Sequence, residues 1–381
     1  MKRKVAIIDP LGAHGSSQHL YLFGQVMGLI NSGVSVSLYT NKETTDPNIL
    51  GLRFYQFYGS LFSQKIKVVR GLKYILGSIA SIFHARIKGC SVFHFHLFST
   101  NSLMFFNVVF SKIFLGKVTL TIHDVSSFAN DKETSFYSIW IYKLADLFLT
   151  HNEFSKNEIL RLTNVNGNSI KIIPHGNYIP FINVQYDKAA SRDRLDIPQN
   201  KKVLLFFGMI KKVKGLEILL QALKLVIEKH NDVLVVIAGK VWKNDFALYQ
   251  KIIDENNLQD YCFLHTKFIP QEDIEHYYCA CDLVVLPYKK IYQSGVLMMT
   301  LSYEKPALAS DLPPFKEILK DNENGFLFES ENTISLAAKI NQILSDRSLL
   351  EQVKKNGSEM IKTKYKWDEI GEQTKEAYQT L

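Results

Sequence analysis

The segment Phe207-Gly208-Met209-Ile210-Lys211-Lys212-Val213-Lys214-Gly215 joins an apolar run at 203–207 to a helical pattern that begins at Leu216. Its glycines let the backbone turn tightly between a strand and a helix. The first turn of a helix has unpaired N–H groups and carries the positive end of the helix dipole, and both favour phosphate. Because the segment also carries lysines, it predicts a phosphate site between a strand and a helix.

A second segment of the same kind is Gln293-Ser294-Gly295-Val296, which adds backbone donors and a hydroxyl. Two such helix starts, together with Lys211 and Lys214, are able to hold a diphosphate without a metal. No Asp-x-Asp pair stands in the chain to bind a divalent ion at this place. We therefore expect an enzyme whose leaving group is a nucleoside diphosphate, with no metal site.

Around these segments, apolar runs alternate with helical patterns through both halves of the chain. Apolar runs that read as buried parallel strands lie at 4–9, 34–40, 92–97, 117–122, 145–150, 170–173, 203–207, 233–238, 261–264, 283–286 and 306–310. This order predicts an α/β protein with two doubly wound, Rossmann-like domains that face a cleft. We place the first domain at 1–178, a polar linker at 179–200, the second domain at 201–360 and a final helix at 361–381.

The first strand candidate leads into Gly12-Ala13-His14-Gly15-Ser16-Ser17-Gln18-His19. This is not the G-x-G-x-x-G fingerprint of dinucleotide sites, and Thr40-Asn41 stands where a ribose-binding acid would follow. A nicotinamide dinucleotide is therefore not expected. The loop is either part of the substrate site, through Gly15 and Ser16, or an ordinary turn between strand and helix, and we favour the first.

Histidines occur at the ends of predicted strands. His123 follows the run 117–122, where its side chain is expected in a ligand cleft and its pKa suits proton transfer or hydrogen bonding to a sugar hydroxyl. A structural cap of the strand is the alternative. His94 and His96 alternate on one strand, and we expect two packed histidines rather than a metal pair because no third ligand lies nearby in the sequence.

The net charge of +8 is compatible with nucleic acid, an anionic membrane or a phosphorylated substrate. Residues 64–88 hold basic and apolar side chains and no acid, which is typical of a helix on an anionic membrane surface. A core helix with a solvated basic face is an equal alternative. No nucleic-acid-binding fingerprint is present, and no apolar run reaches the length of a membrane span or forms a cleavable signal peptide. We expect a cytoplasmic protein, peripheral on the inner face of the plasma membrane.

The order and spacing of several motifs resemble the family 4, or group 1 type, of GT-B glycosyltransferases over nearly the whole chain. The motifs are the glycine-rich first loop, Ile122-His123-Asp124, Ile173-Pro174-His175-Gly176, Phe207–Gly215, Ile237-Ala238-Gly239, 280–288, Lys305-Pro306, Lys316-Glu317-Ile318 and Asn324-Gly325-Phe326-Leu327.

The resemblance implies a hexosyltransferase of cell-surface polysaccharide synthesis, retaining and metal-independent, with no cofactor. Its donor would be a UDP or GDP type of nucleotide sugar bound by the second domain. Its acceptor would be a glycan or polyprenyl-linked saccharide bound by the first domain, and the final helix would cross back to that domain. The implied catalytic residues are His123, Lys211 and Lys214, and the implied donor-binding residues are Gly15, Ser16, Gly208, Gly239, Phe268, Ile269, Ser294, Gly295 and Val296.

The chain departs from the family at two acidic positions. The family has two glutamates spaced eight apart, the first at the donor sugar and the second at the ribose. Here Tyr292 takes the first place and Met299 or Thr300 the second. Two alternatives therefore stay open: a nucleotide-sugar-binding scaffold with weakened catalysis, and a GT-B nucleotide-sugar epimerase.

Overall fold

The computed structural model describes residues 3–14, 18–63, 66–125, 136–182, 186–243 and 246–381. The chain forms two compact units, one made of Met1–Gly176 with Tyr365–Leu381 and the other of Asn177–Lys364. Each unit contains its own parallel sheet. In the described residues, no helix has the length and apolar character needed to cross a membrane.

The first unit is a seven-stranded parallel sheet in the order β3-β2-β1-β4-β5-β6-β7. Its elements are β1 (Lys4–Ile8), α1 (Gln18–Asn31), β2 (Ser35–Tyr39), β3 (Arg53–Tyr55), α2 (Lys67–Ile87), β4 (Val92–Leu97), α3 (Ser102–Ile113), β5 (Lys117–Ile122), α4 (Phe136–Leu144), β6 (Leu147–Thr150), α5 (Glu153–Leu162) and β7 (Ile170–Ile172). All six residues of β4 are buried, as expected for a central strand covered on both faces.

The second unit is a six-stranded parallel sheet in the order β10-β9-β8-β11-β12-β13. Its elements are α6 (Lys188–Arg194), β8 (Lys202–Phe207), α7 (Leu216–Ile227), β9 (Val233–Ala238), α8 (Ala247–Glu255), β10 (Cys262–His265), α9 (Gln271–Ala280), β11 (Leu283–Leu286), α10 (Gly295–Ser302), β12 (Ala307–Ser310), α11 (Pro313–Lys316), β13 (Phe326–Phe328), α12 (Thr333–Ser345) and α13 (Arg347–Lys364). The leucines at 216, 219, 220 and 223 of α7 are fully buried against the sheet.

The last helix, α14 (Trp367–Gln379), packs on α1 within the first unit. Glycines make this contact possible. A Cβ on Gly371 would lie 2.1 Å from the carbonyl oxygen of Gly28, and one on Gly24 would lie 2.1 Å from the indole of Trp367. The two helix backbones therefore touch, and Trp367 fills a space that any larger residue at Gly24 would close.

The segment predicted as a linker at 179–200 lies in the second unit instead. It contains α6, which is held by the buried Arg192. The guanidinium of Arg192 donates to the carboxylate of Asp282 at 2.9 Å and to the carbonyl of Ala280 at 3.1 Å. A buried, paired arginine therefore fixes α6 to the second unit.

Candidate functional site

In the second unit the chain order reverses between β8 and β11, which are neighbours in the sheet. Ligands of doubly wound sheets bind at the carboxyl ends of the strands beside such a reversal. The Phe207–Gly215 segment starts at the end of β8, and Pro287 and Tyr288 follow the end of β11. The predicted phosphate segment therefore lies where this fold places its ligand.

Lys214 is folded back over the start of its own loop. Its ammonium Nζ lies 3.0 Å from the position that a Cβ on Gly208 would take, and it donates to the carbonyl of Phe207 at 3.5 Å. The ring of Tyr288 lies 5.3 Å from the same Nζ. Gly208 has φ of +91°, a conformation that favours glycine. The absence of a side chain at Gly208 leaves room beside the ammonium.

Burial, and next the positive charge of Lys211, lower the pKa of Lys214 to about 7. In the unliganded protein the ammonium is thus only half populated near neutral pH. An anion bound beside it would favour the charged form. Lys214 is therefore able to neutralise the charge that develops on a phosphate leaving group.

Two further glycines set the backbone of this site. Gly215 has φ of +64°, and a Cβ there would lie 1.9 Å from the carbonyl oxygen of Pro287. Gly239 follows β9, and its Cβ would lie 2.2 Å from the carbonyl oxygen of Gly208. Neither contact tolerates a side chain, so these glycines bring the ends of β8, β9 and β11 together.

The second predicted segment joins the same place. Ser294 caps α10, because its hydroxyl accepts from the backbone N–H of Leu297 at 3.1 Å. A methyl group of Val296, in the first turn of α10, lies 3.5 Å from the Cβ position of Gly208. The structure thus brings together Gly208, Lys214, Ser294, Gly295 and Val296 around the start of α10, where backbone N–H groups favour phosphate.

The remaining predicted residues of the second unit lie further along the sheet edge. The ammonium of Lys211 stands over the ring of Trp242, 5.3 Å from its centroid. Phe268, which is exposed, and Ile269, which is buried, follow β10, two strands away from β8. Gly239 links the two regions, since its N–H donates to the carbonyl of His265 at 3.0 Å.

The positions where the family has its two glutamates carry no acid in this chain. Tyr292 and Met299 are buried, and the hydroxyl of Thr300 donates to the carbonyl of Val296 at 2.7 Å, within its own helix. No acidic side chain of the described residues replaces the two glutamates at these three positions.

In the first unit, the loop after β1 is shaped by three polar side chains. Asp9 accepts from the N–H of Gly12 at 3.0 Å, and Thr44 accepts from the N–H of Ala13 at 2.9 Å. The amide of Asn41 donates to the carbonyls of Pro10 and Leu11. Asn41 therefore holds the loop from the end of β2. Gly15 and Ser16, the predicted binding residues of this loop, lie outside the described residues.

His123 stands at the carboxyl end of β5, as predicted, and is buried. Its ring stacks on Phe98 with 4.5 Å between centroids. Both ring nitrogens meet other histidines: Nε2 lies 2.9 Å from Nδ1 of His96, and Nδ1 lies 3.3 Å from Nε2 of His151. Burial, and then the neighbouring histidines, hold the pKa of His123 well below its usual range, so the ring is neutral at neutral pH. Its catalytic role stays a prediction.

His94 and His96 are packed side by side, with 5.1 Å between parallel rings. His94 also contacts the hydroxyls of Tyr378 at 2.6 Å and Thr121 at 2.7 Å. In the part of the chain that the structure describes, no three His, Cys, Asp or Glu side chains form a group able to hold a metal ion.

Sequence reasoning missed Tyr288, Trp242 and His151 as members of these sites. Two of them had a readable signal: His151 directly follows a strand, as His123 does, and Tyr288 follows the end of β11 by two residues. Trp242 is placed by a bridge between Ile210 and Val241, which links loops that the sequence separates.

Comparisons with known proteins agree with this architecture. Residues 187–360 match the model of the family "Glycosyl transferases group 1". An uncharacterized glycosyltransferase of Methanocaldococcus jannaschii, MJ1607, is 26% identical over 243 residues, covering 60% of this chain and 59% of the relative. The capsular polysaccharide biosynthesis glycosyltransferase CapM of Staphylococcus aureus is 24% identical, covering 60% of each chain. The matched region therefore spans about three fifths of these curated relatives.

A solved structure of Anabaena Alr3699/HepE in complex with UDP-glucose superposes with a TM-score of 0.75. It is 17% identical and covers 99% of this chain and 100% of that one. The likeness shows the fold. The predicted fold class of two parallel-sheet α/β domains of the GT-B kind is confirmed, as is the resemblance to group 1 glycosyltransferases.

Proposed function

We propose that this chain, whose residues 187–360 match the model of the group 1 glycosyl transferases, moves a hexose from a nucleotide-diphosphate sugar to a glycan or lipid-linked acceptor. The observation that carries the proposal is the position of Lys214 in the second unit, with its ammonium beside Gly208 and the start of α10. CapM, named for capsular polysaccharide biosynthesis, supports a role in cell-surface polysaccharide synthesis. Retention of anomeric configuration is part of the proposal and rests on the family resemblance.

The chemical requirement of the reaction is neutralisation of the departing diphosphate. In the proposed complex the diphosphate lies against the start of α10, where N–H groups and the Ser294–Val296 turn face it. Lys214 donates to it as an ammonium, and Lys211 leaves Trp242 to do the same. Because lysines supply this positive charge, the proposed transfer needs no divalent metal. The UDP-glucose bound to HepE supports a UDP type of donor; a GDP type remains the other candidate.

In this proposal the first unit binds the acceptor, and His123 contacts a sugar there. The loop shaped by Asp9, Asn41 and Thr44 precedes Gly15 and Ser16 in the sequence, and these two residues stay predicted donor-binding residues. Both ring nitrogens of His123 are engaged by His96 and His151, so in this proposal its ring edge contacts the sugar. A neutral His123 adds no positive charge beside a sugar whose reacting carbon becomes electron-poor.

Thermal stability against UDP, GDP, ADP and their nucleotide sugars tests the donor site. A ligand present at about 100 times its dissociation constant adds about 2.7 kcal/mol to the stability of the unit that binds it. Lys214→Ala is expected to reduce turnover by about 10²–10³-fold, the scale for losing one charge-stabilising donor. Lys212→Ala is the matched control, because Lys212 is an exposed lysine of the same loop. Transfer by Lys214→Ala at the wild-type rate would show the diphosphate assignment to be wrong.

The same assay separates the alternative functions. The burial of Tyr292 and Met299 at positions where the family has acids supports a weakened catalyst as the alternative. Nucleotide binding without turnover on any donor and acceptor would indicate a scaffold. Conversion of the donor sugar without an acceptor would indicate an epimerase.

We also propose that the first unit binds an anionic membrane through α2. Six large apolar residues follow one another at three- and four-residue spacing on its exposed face: Val68, Leu72, Leu76, Ile79, Phe83 and Ile87. The opposite face, with Ser78, Ile82 and Ala85, is buried in the unit. The exposed stripe is therefore not core packing. Its basic neighbours Lys67, Arg70 and Lys88 are exposed as well. An apolar stripe with basic flanks matches a surface of anionic lipid.

Co-sedimentation with vesicles of anionic and of neutral lipid tests this proposal. Neutralising Lys67, Arg70 and Lys73 is expected to weaken binding to anionic vesicles about a hundredfold, since each basic residue near the surface contributes about 1 kcal/mol. Neutralising Lys224, Lys229 and Lys251, which are exposed in the second unit, is the matched control. Equal sedimentation of both triple variants would exclude α2 as the binding face.

A further inference from the structure

Three histidines at the carboxyl ends of adjacent strands form a continuous hydrogen-bonded chain in the first unit. His96 belongs to β4, His123 follows β5 and His151 follows β6. Nδ1 of His96 meets Nε2 of His123 at 2.9 Å, and Nδ1 of His123 meets Nε2 of His151 at 3.3 Å. The chain ends on the carbonyl of Ile173, which lies 2.9 Å from Nδ1 of His151. All three side chains are buried.

The carbonyl of Ile173 determines which ring nitrogen carries the proton in each of the three histidines. A carbonyl oxygen only accepts, so His151 carries its proton on Nδ1 and has a lone pair on Nε2. That lone pair accepts from Nδ1–H of His123. His123 therefore has its own lone pair on Nε2, which accepts from Nδ1–H of His96. The chain thus has a single proton arrangement, with all three neutral rings protonated on Nδ1.

The surroundings of His123 Nε2 and His96 Nε2, at the end of the histidine chain opposite Ile173, agree with this proton arrangement. The side-chain amide nitrogen of Gln18 lies 3.5 Å from Nε2 of His123, and an amide nitrogen is a donor. Nε2 of His96, which the arrangement leaves as a bare lone pair, is buried and makes no hydrogen bond to the described residues. Burial and the neighbouring histidines keep the pKa of His96 and His123 well below the usual range, which keeps the rings neutral.

We propose that His151 and His96 are positioning residues for the sugar transfer, which lock His123 as a neutral imidazole protonated on Nδ1. This inference rests on the proposed function of His123 at the sugar. Its physical purpose follows from charge: glycosyl transfer passes through a sugar with oxocarbenium character, and an imidazolium beside it would raise the barrier. A ring bonded at both nitrogens is also fixed in orientation, which preserves its contacts during the reaction.

Substitution of His151 gives a matched pair of variants. His151→Leu removes the acceptor of His123 Nδ1–H. The Nδ1–H of His123 then has no acceptor, so the contact that selects one proton arrangement is lost. His123 and His96 are expected to exchange together between the Nδ1 and Nε2 tautomers. His151→Gln offers an acceptor oxygen near the place of Nε2 and is expected to retain the arrangement.

Long-range proton–nitrogen NMR of protein labelled with ¹⁵N-histidine measures these tautomers directly, with assignments from single His→Gln variants. In the wild type, His96, His123 and His151 are all expected to be protonated on Nδ1. In His151→Leu, His123 and His96 are expected to populate both tautomers, and kcat to fall about tenfold to a hundredfold, the scale for losing an outer partner of a functional histidine. In His151→Gln both the tautomers and kcat are expected to be retained.

Two NMR results would refute the proposed tautomer lock whatever the activity. One is a wild-type His123 protonated on Nε2, and the other is a His96 tautomer that does not change in His151→Leu. Tautomers that shift while kcat stays at the wild-type value would overturn the positioning role. A thermal melt and the dispersion of the histidine NMR signals show whether the first unit of each variant is folded, and calorimetry of nucleoside diphosphate binding shows that the second unit is unchanged. If the wild type transfers no sugar from any donor, the proposed function fails, while the NMR measurement still decides the lock.

Discussion

Binding of a nucleotide sugar should take up a proton at Lys214. The pKa of Lys214 is lowered to about 7 in the free protein by burial and by Lys211. A bound diphosphate favours the ammonium, so the pKa in the complex is expected to return towards the ordinary value of about 10.4. Because the ligand binds the protonated form, its affinity is nearly complete at pH 6, is about halved at pH 7 and falls further as the pH rises.

The size of the effect follows from the lowered pKa. At pH 8.5 only about 3% of free Lys214 is protonated, which makes binding about 30-fold weaker than at pH 6, or about 2 kcal/mol. The dissociation constant should rise only about twofold between pH 6 and pH 7, and should approach a tenfold rise for each pH unit above about pH 8. A nucleotide sugar is the suitable probe, since its diphosphate stays fully ionised over the whole range.

Calorimetry in two buffers of different ionisation enthalpy measures the proton uptake, which should approach one proton per ligand at pH 8.5. Lys214→Arg should retain binding but lose the pH dependence, because a guanidinium stays charged. Lys214→Met should bind weakly at every pH. Tight binding at pH 8.5 without proton uptake would refute the placement of the diphosphate at Lys214.

Three further predictions concern stability. The first unit should lose stability below pH 6.5, because the folded-state pKa values of three buried histidines lie below the unfolded value: His94 at about 3, His151 at about 4 and His175 at about 3. At pH 5 each of these histidines lowers the free energy of unfolding by about 2 kcal/mol. Asp9, whose pKa is raised to about 6, offsets about 1 kcal/mol of this loss. Denaturant unfolding that shows equal stability at pH 7 and pH 5 would contradict this prediction. Gly371→Ala should destabilise the first unit by about 1–3 kcal/mol, because its Cβ would meet the carbonyl of Gly28, while an exposed change such as Glu372→Ala stays within about 0.5 kcal/mol by thermal melting. Gly215→Ala should lower the melting temperature of the second unit and abolish nucleotide binding, because its Cβ would meet the Pro287 carbonyl at a positive φ; an unchanged titration would exclude the strained turn as a requirement.

Strands could be predicted from the sequence where apolar residues formed long runs. Runs such as 92–97, 117–122 and 233–238 became strands with the predicted bounds. The strand β3 was missed because it is three residues long and starts with the exposed Arg53, and edge strands need no buried run. The short α6 was missed because its sequence has no apolar period, and its anchor, Arg192 on Asp282, joins residues that lie 90 apart in the chain.

The two sites were predictable to different depths. Glycines, lysines and strand ends identified the loop of Lys214, since each of those signals is local. The lowered pKa of Lys214 was not readable, because it depends on burial under Tyr288 and other distant segments. Only part of the histidine chain could be predicted from the sequence. Each histidine follows or ends a strand in the sequence, but only the parallel order β4-β5-β6 makes them neighbours.

Because the family glutamates are missing, donor binding depends more strongly on the lysines of the second unit. In the second unit, the hydroxyl of Thr300 donates a hydrogen bond to the carbonyl of Val296 in its own helix, and Met299 and Tyr292 are buried. The nearby carboxylate of Glu217, in the first turn of α7, forms an ion pair with Lys289. The positive charge of Lys214 and Lys211 is therefore not balanced by an acid at the family positions. Attraction for a diphosphate rests on these lysines and on the start of α10, and it should weaken as salt screens it. The titration of Lys214 consequently tests the feature on which donor binding depends most.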